Sequence, residues 1–67
     1  MNTIRRARLR ARLTQQRLAE LVDRDQSEIS RIESGKTVLT VPLLLRMAKV
    51  LGVRPGSLLD EARDRAA

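Results

Sequence analysis

Between Gln15 and Ser34 the chain carries the side chains with most to offer another molecule: amides at Gln15, Gln16 and Gln26, hydroxyls at Ser27 and Ser30, and a guanidinium at Arg31. They are not a set for covalent chemistry. The sequence has no histidine and no cysteine, which removes the commonest general base and the commonest metal ligands, and no nucleophile, base and metal set can be assembled from what remains. No enzyme activity, metal site or cofactor is therefore expected. These groups are built for hydrogen bonding. A glutamine can span N6 and N7 of adenine with two bonds and an arginine O6 and N7 of guanine, whereas serine bonds bases or phosphates with little discrimination.

Phosphate is the second chemistry that the composition favours. The formal charge is +6, and Arg5, Arg6, Arg8, Arg10, Arg12 and Arg17 all precede the first acid, Glu20, after which bases and acids balance. Such a cluster suits a phosphate backbone or an anionic membrane, or is simply the solvated face of an arginine-biased sequence. Aromatic residues are absent, so bases cannot be stacked on side chains as single-strand and RNA binders stack them, and duplex DNA becomes the favoured nucleic acid. A membrane partner is not expected, because the apolar face Ile4, Ala7 and Ala11 is thin for insertion and the apolar run at 41–45 is far below the roughly 20 residues of a span. The arginines after Met1 lead into Thr14-Gln15-Gln16 and not into an apolar region, so no signal peptide is expected and the protein is placed in the cytoplasm.

Elements that can hold these groups in place are legible in the pattern of caps and apolar spacing. Thr3 is a candidate cap for a first helix with Ile4, Ala7 and Ala11 inward, and Leu13 lies at the link to the next. Thr14 caps a second helix whose stripe is Leu18, Ala19, Leu21 and Val22. Asp25, with Glu28 three residues on, resembles a capping box for a third helix with Ile29 and Ile32 inward, and Gly35 ends it. Thr40 caps a fourth helix that tolerates Pro42 in its first turn, buries Leu44, Leu45, Ala48 and Leu51, and stops at Gly52. A short fifth helix carries Leu58, Leu59 and Ala62. Residues 1–60 are read as one all-α domain of five helices and 61–67 as a short charged tail that frays.

For the second and third helices to cross at roughly 90 to 120° through a tight turn, the first needs a small contact residue, supplied by Ala19, and the second needs Ile29 and Ile32 facing it. With those residues in place, the segments IRRARLRARLTQQRLAELV, SEISRIESGK and LLRMAKVLGV resemble the phage repressor and Cro type of helix-turn-helix family, also called XRE-like. The resemblance runs from Ile4 to Leu59. It implies a compact five-helix, lambda-repressor-like domain that binds duplex DNA as a dimer, with the third helix in the major groove. The turn departs from the family pattern: Asp23 stands where glycine is usual, and Arg24 where a small or apolar residue is usual.

Base readout is assigned to Gln26, Ser27, Ser30 and Arg31. Gln26 is alternatively a solvated residue at a helix start, and Arg31 alternatively a surface partner of Glu28. By the same resemblance Gln15, beside Gln16, begins the first motif helix and bonds phosphate while touching the recognition helix, and Gly35-Lys36-Thr37 adds phosphate contacts through exposed amides and a lysine. Arg24 is a further phosphate candidate from the turn. The resemblance also implies a structural pair, Arg8 with Glu33, that fixes the recognition helix and presents Arg8 to the DNA backbone. Arg5, Arg6, Arg10 and Arg12 are assigned to nonspecific phosphate attraction, with only some facing DNA at once. Leu39, Leu43, Met47, Val50, Pro55 and Leu58 exceed what one core stripe needs, and form either a dimer contact or ordinary core. The function expected is a sequence-specific transcriptional regulator of the repressor type, binding a pseudo-palindromic operator as a homodimer. The alternative is an antitoxin-like interaction module that neutralises a partner toxin and autoregulates its operon.

Overall fold

Three of the helices begin where a threonine or aspartate leaves the backbone extended, and four end where a residue turns left-handed. The structure is a computed structural model and describes residues 3–58. Its elements are α1 (Thr3–Arg10), α2 (Gln15–Leu21), α3 (Gln26–Glu33) and α4 (Val41–Leu51), followed by α5, which starts at residue 55 and is described as far as 58. The fold is all-α with five helices, and no strand occurs among the described residues. Leu59, Ala62 and the tail 61–67 lie outside them.

Two of the expected N-caps form with their side-chain bonds. Thr14 Oγ1 accepts from the Arg17 amide at 3.0 Å, and Thr40 Oγ1 accepts from the Leu43 amide at 3.4 Å, each satisfying an amide that the helix leaves without a partner. Pro42 sits in the first turn of α4, where its missing N–H is no loss. Asp25 has the extended N-cap backbone but makes no side-chain cap bond, so the capping box expected with Glu28 does not form. With aspartate in place of serine or threonine, a reciprocal box would bring two carboxylates together. Thr3 is already within α1 and is not its cap.

At the other ends one pattern recurs. Arg12 (φ 61°), Asp23 (φ 60°), Gly35 (φ 82°) and Gly52 (φ 70°) are all left-handed. After α1 the Leu13 amide bonds the Arg8 carbonyl at 3.1 Å, after α2 the Arg24 amide bonds Ala19 at 2.8 Å, after α3 the Lys36 amide bonds Arg31 at 2.8 Å, and after α4 the Val53 amide bonds Ala48 at 3.0 Å. Each is the six-to-one bond of a Schellman cap. Asp23 thus takes the left-handed role that a glycine would fill. Arg12 does the same at a position whose sequence gives no warning of it. Replacing either Asp23 or Arg12 by glycine is expected to stabilise the domain by about 0.5–1 kcal/mol, because the left-handed penalty of roughly 1–2 kcal/mol outweighs glycine's extra loss of backbone entropy. Urea unfolding checks this as a raised midpoint at unchanged slope. A lowered midpoint would contradict it.

The core gathers one stripe from every helix. Ile4, Leu18, Ala19, Val22, Ile29, Ile32, Leu39, Leu43, Leu44, Met47, Ala48, Leu51 and Leu58 are buried, with Ala7, Leu13, Val50 and Val53 packed against them. α2 packs chiefly on α3, and Ala19, the small residue expected at that contact, is buried. Three expected core residues are corrected. Ala11 is exposed beyond the end of α1, Leu21 is exposed because Val22 takes the inward position, and Leu45 is exposed because Leu43, Leu44, Met47 and Ala48 already fill the buried side of α4. The dimer contact is corrected too: Leu39, Leu43, Met47 and Leu58 lie in the core of the single chain, which needs these large side chains because it has no aromatic residue to fill it. Of that group only half-buried Val50 and exposed Pro55 keep surface. Among the described residues no helix is long and apolar enough to cross a membrane.

Candidate nucleic-acid interface

With Ile29 and Ile32 pinned inward, the helical period turns the rest of α3 out. Gln26, Ser27, Ser30 and Arg31 are all exposed. They form two rows one turn apart, Gln26 with Ser30 and Ser34, and Ser27 with Arg31. Arg31 makes no ion pair with Glu28, so its guanidinium projects from the helix without that surface partner. The Ser34 hydroxyl donates back to the Ser30 carbonyl at 2.9 Å, which keeps its oxygen available only as an acceptor.

What holds α3 in place is a chain of polar bonds running through three helices. Arg8 Nε and one terminal nitrogen donate to the two carboxylate oxygens of Glu33 at 2.7 and 3.1 Å, a bidentate pair whose side chains are only 8% and 5% exposed. The other terminal nitrogen donates to the Leu13 carbonyl at 2.8 Å and ties down the link between α1 and α2. Gln15 Nε2 donates to Glu33 Oε1 at 3.0 Å, and Gln26 Nε2 donates to Gln15 Oε1 at 3.3 Å. No buried polar side-chain atom among the described residues lacks a partner. A fully bonded buried pair of this kind is rigid, since moving either side chain would leave a charge uncompensated.

The network also decides which expected phosphate contacts have surface to offer. Arg8 does not: it is 7% exposed and turned inward to Glu33 and Leu13, so its expected approach to the DNA backbone is corrected. Gln15, half-buried, and Gln16, exposed, sit in the first turn of α2 beside Gln26. Lys36 is exposed and Thr37 half-buried just past the end of α3. The amides of Gly35 and Lys36 are not exposed donors, because they bond Ile32 and Arg31 carbonyls at 3.2 and 2.8 Å; only the side chains of that loop remain for an anion. Arg24 shares a cleft with Glu20, Asp23, Asp25 and Glu28. Carboxylates outnumber it there, which weighs against a phosphate at this guanidinium, and among the described residues no group of acids converges as a metal site requires.

Ser34 was not among the expected contacts, and Arg5 was expected only as one of four arginines in nonspecific phosphate attraction. Ser34 and Arg5 line one cleft with Arg8, Gln15, Ser30 and Glu33. Ser34 was recoverable from its spacing of four and eight residues after Ser30 and Gln26. Arg5 was not distinguishable from its neighbours, because choosing one arginine requires knowing how α1 is rotated against α3.

No curated protein and no solved structure matches the chain. A family model described as a helix-turn-helix domain matches residues 2–62, which is nearly the whole sequence and includes both helices of the motif and the network that supports them. With two short helices packed on one another across a tight turn inside that span, the chain belongs to the helix-turn-helix domain family, whose motif implies DNA binding.

Proposed function

We propose that this chain is a sequence-specific transcriptional regulator of the repressor type that binds a pseudo-palindromic duplex operator as a homodimer, acting by occupancy and not by catalysis, in the cytoplasm. The observation that carries the reading is the exposed face Gln26, Ser27, Ser30 and Arg31 on a helix locked by the buried Arg8–Glu33 pair. A flexible helix would lose affinity to ordering, whereas a locked one presents its groups ready placed. Gln26 is the adenine reader and Arg31 the guanine or phosphate reader. Gln15 and Gln16 at the start of the motif, with Lys36 and Thr37 at its end, clamp the phosphates on either side.

One copy reaches few bases, so useful affinity calls for two. Of the expected dimer contact Val50 and Pro55 keep surface, and the large apolar residues exposed elsewhere are Leu9, Leu21, Val38, Val41 and Leu45. Selection of bound duplexes from a random pool, with sedimentation of the complex, tests the proposal. The expected result is a symmetric site with half-sites about 10–10.5 base pairs apart, bound by two chains. No enriched sequence at moderate salt would overturn it.

A further inference from the structure

α1 carries its arginines on two sides. At about 100° per residue, Arg5 and Arg8 lie roughly 60° apart around the axis, while Arg6 and Arg10 lie roughly 100 to 140° from Arg5. The clefts agree with this division. Arg5 lines the cleft that holds Gln15, Ser30 and Ser34 along the flank of α3, whereas Arg6 and Arg10 line another with Val53, Ser57 and Leu58.

We propose that Arg5, and neither Arg6 nor Arg10, is the α1 guanidinium that grips the DNA backbone, at a phosphate shared with Gln15 beside the recognition helix. The inference rests on the reading of α3 as the helix that enters the major groove. A helix about 10–12 Å across fills a groove about 12 Å wide, so groups along its flank meet the phosphates of the groove wall. The row Gln26, Ser30 and Ser34 marks that flank, and Arg5 shares its cleft. Charge supports the same choice. The charged side chains that line the cleft, Arg5, Arg8 and Glu33, sum to one positive charge, with Arg8 held against Glu33 at 2.7 Å. Arg6 and Arg10 face away from the groove wall and contribute only long-range attraction that salt screens over about 8–10 Å.

The test uses the full chain and the duplex recovered by selection. Affinity is measured against salt for the wild type, Arg5→Gln, Arg6→Gln and Arg10→Gln. Loss of one phosphate contact lowers the slope of log affinity against log salt by about 0.9 per bound chain. Arg5→Gln is therefore expected to lose about threefold less affinity per chain than the wild type between 50 and 200 mM salt. Arg6→Gln and Arg10→Gln should change the slope by less than half as much, and Arg5→Lys should keep it. Methylphosphonate substitution, one phosphate at a time, should find one position per half-site where the wild type loses affinity and Arg5→Gln does not. Equal slopes for the three glutamine variants, or no such position, would overturn the proposal while leaving DNA binding intact. A wild type that selects no duplex would overturn the DNA reading itself.

Discussion

Glu33→Ala is expected to destabilise the domain by about 3–5 kcal/mol, the range for removing one partner of a buried ion pair. The size follows from what is left behind. Arg8, 7% exposed, would keep its charge with only the Leu13 carbonyl as an acceptor, and Gln15 would lose its bond at 3.0 Å. A chain of 67 residues has a total stability of roughly 3–10 kcal/mol, so the variant should lose between about a third and all of it. Helical circular dichroism followed through urea measures this directly. The double variant Arg8→Met with Glu33→Leu should recover most of the loss, because exchanging a buried pair for apolar groups of similar size is close to neutral. A loss of about 0–1 kcal/mol for Glu33→Ala, the range of an exposed pair such as Arg17–Glu20, would mean that water reaches the site.

Gln26→Ala should leave the fold unchanged, since Gln26 is exposed and bonded only to Gln15 at 3.3 Å, yet it should abolish the choice of adenine at one position of each half-site. A bidentate contact discriminates by about 1–3 kcal/mol, or roughly 5- to 150-fold at that base pair. The unbound geometry suits the contact. Gln26 Nε2 gives one proton to Gln15 Oε1, which leaves its second proton for adenine N7 and its own oxygen for the N6 amino group. Gln15→Ala should then weaken the same preference without erasing it. The two substitutions combined should fall short of the sum of their separate effects, as is usual for bonded neighbours. Repeating the duplex selection with each variant, and comparing matched and mismatched duplexes, gives both results. An adenine preference that survives in Gln26→Ala would transfer base readout to Arg31 or the serines.

Much of the architecture was open to reading because it is written in contacts between near neighbours. Thr14 and Thr40 bond amides three residues on, Gly35 and Gly52 turn left-handed where helices stop, and the period of Leu18, Ala19, Val22, Ile29 and Ile32 needs only the geometry of a helix. The left-handed Asp23 was legible from the family resemblance, since it stands where glycine is usual. Where neighbours compete, the reading failed. Leu43 and Met47 against Leu45 on α4, or Leu21 against Val22 on α2, differ only in rotation about an axis, and packing against the other helices selects between them.

The candidate site divides in the same way. Its chemistry, amides, hydroxyls and arginines in place of a nucleophile and a base, was determined by residue type alone, as was the outward face of α3 once Ile29 and Ile32 were taken as buried. The tertiary structure decided which charges remain for DNA. Arg8 meets Glu33 across 25 positions of sequence and Gln15 meets Glu33 across 18, and those meetings turn Arg8 inward, hold Gln15 against Gln26, and leave Arg5 on the cleft. Long-range pairs of this kind depend on how helices are placed against one another by the whole apolar core, a sum over many side chains that no local pattern of residues records.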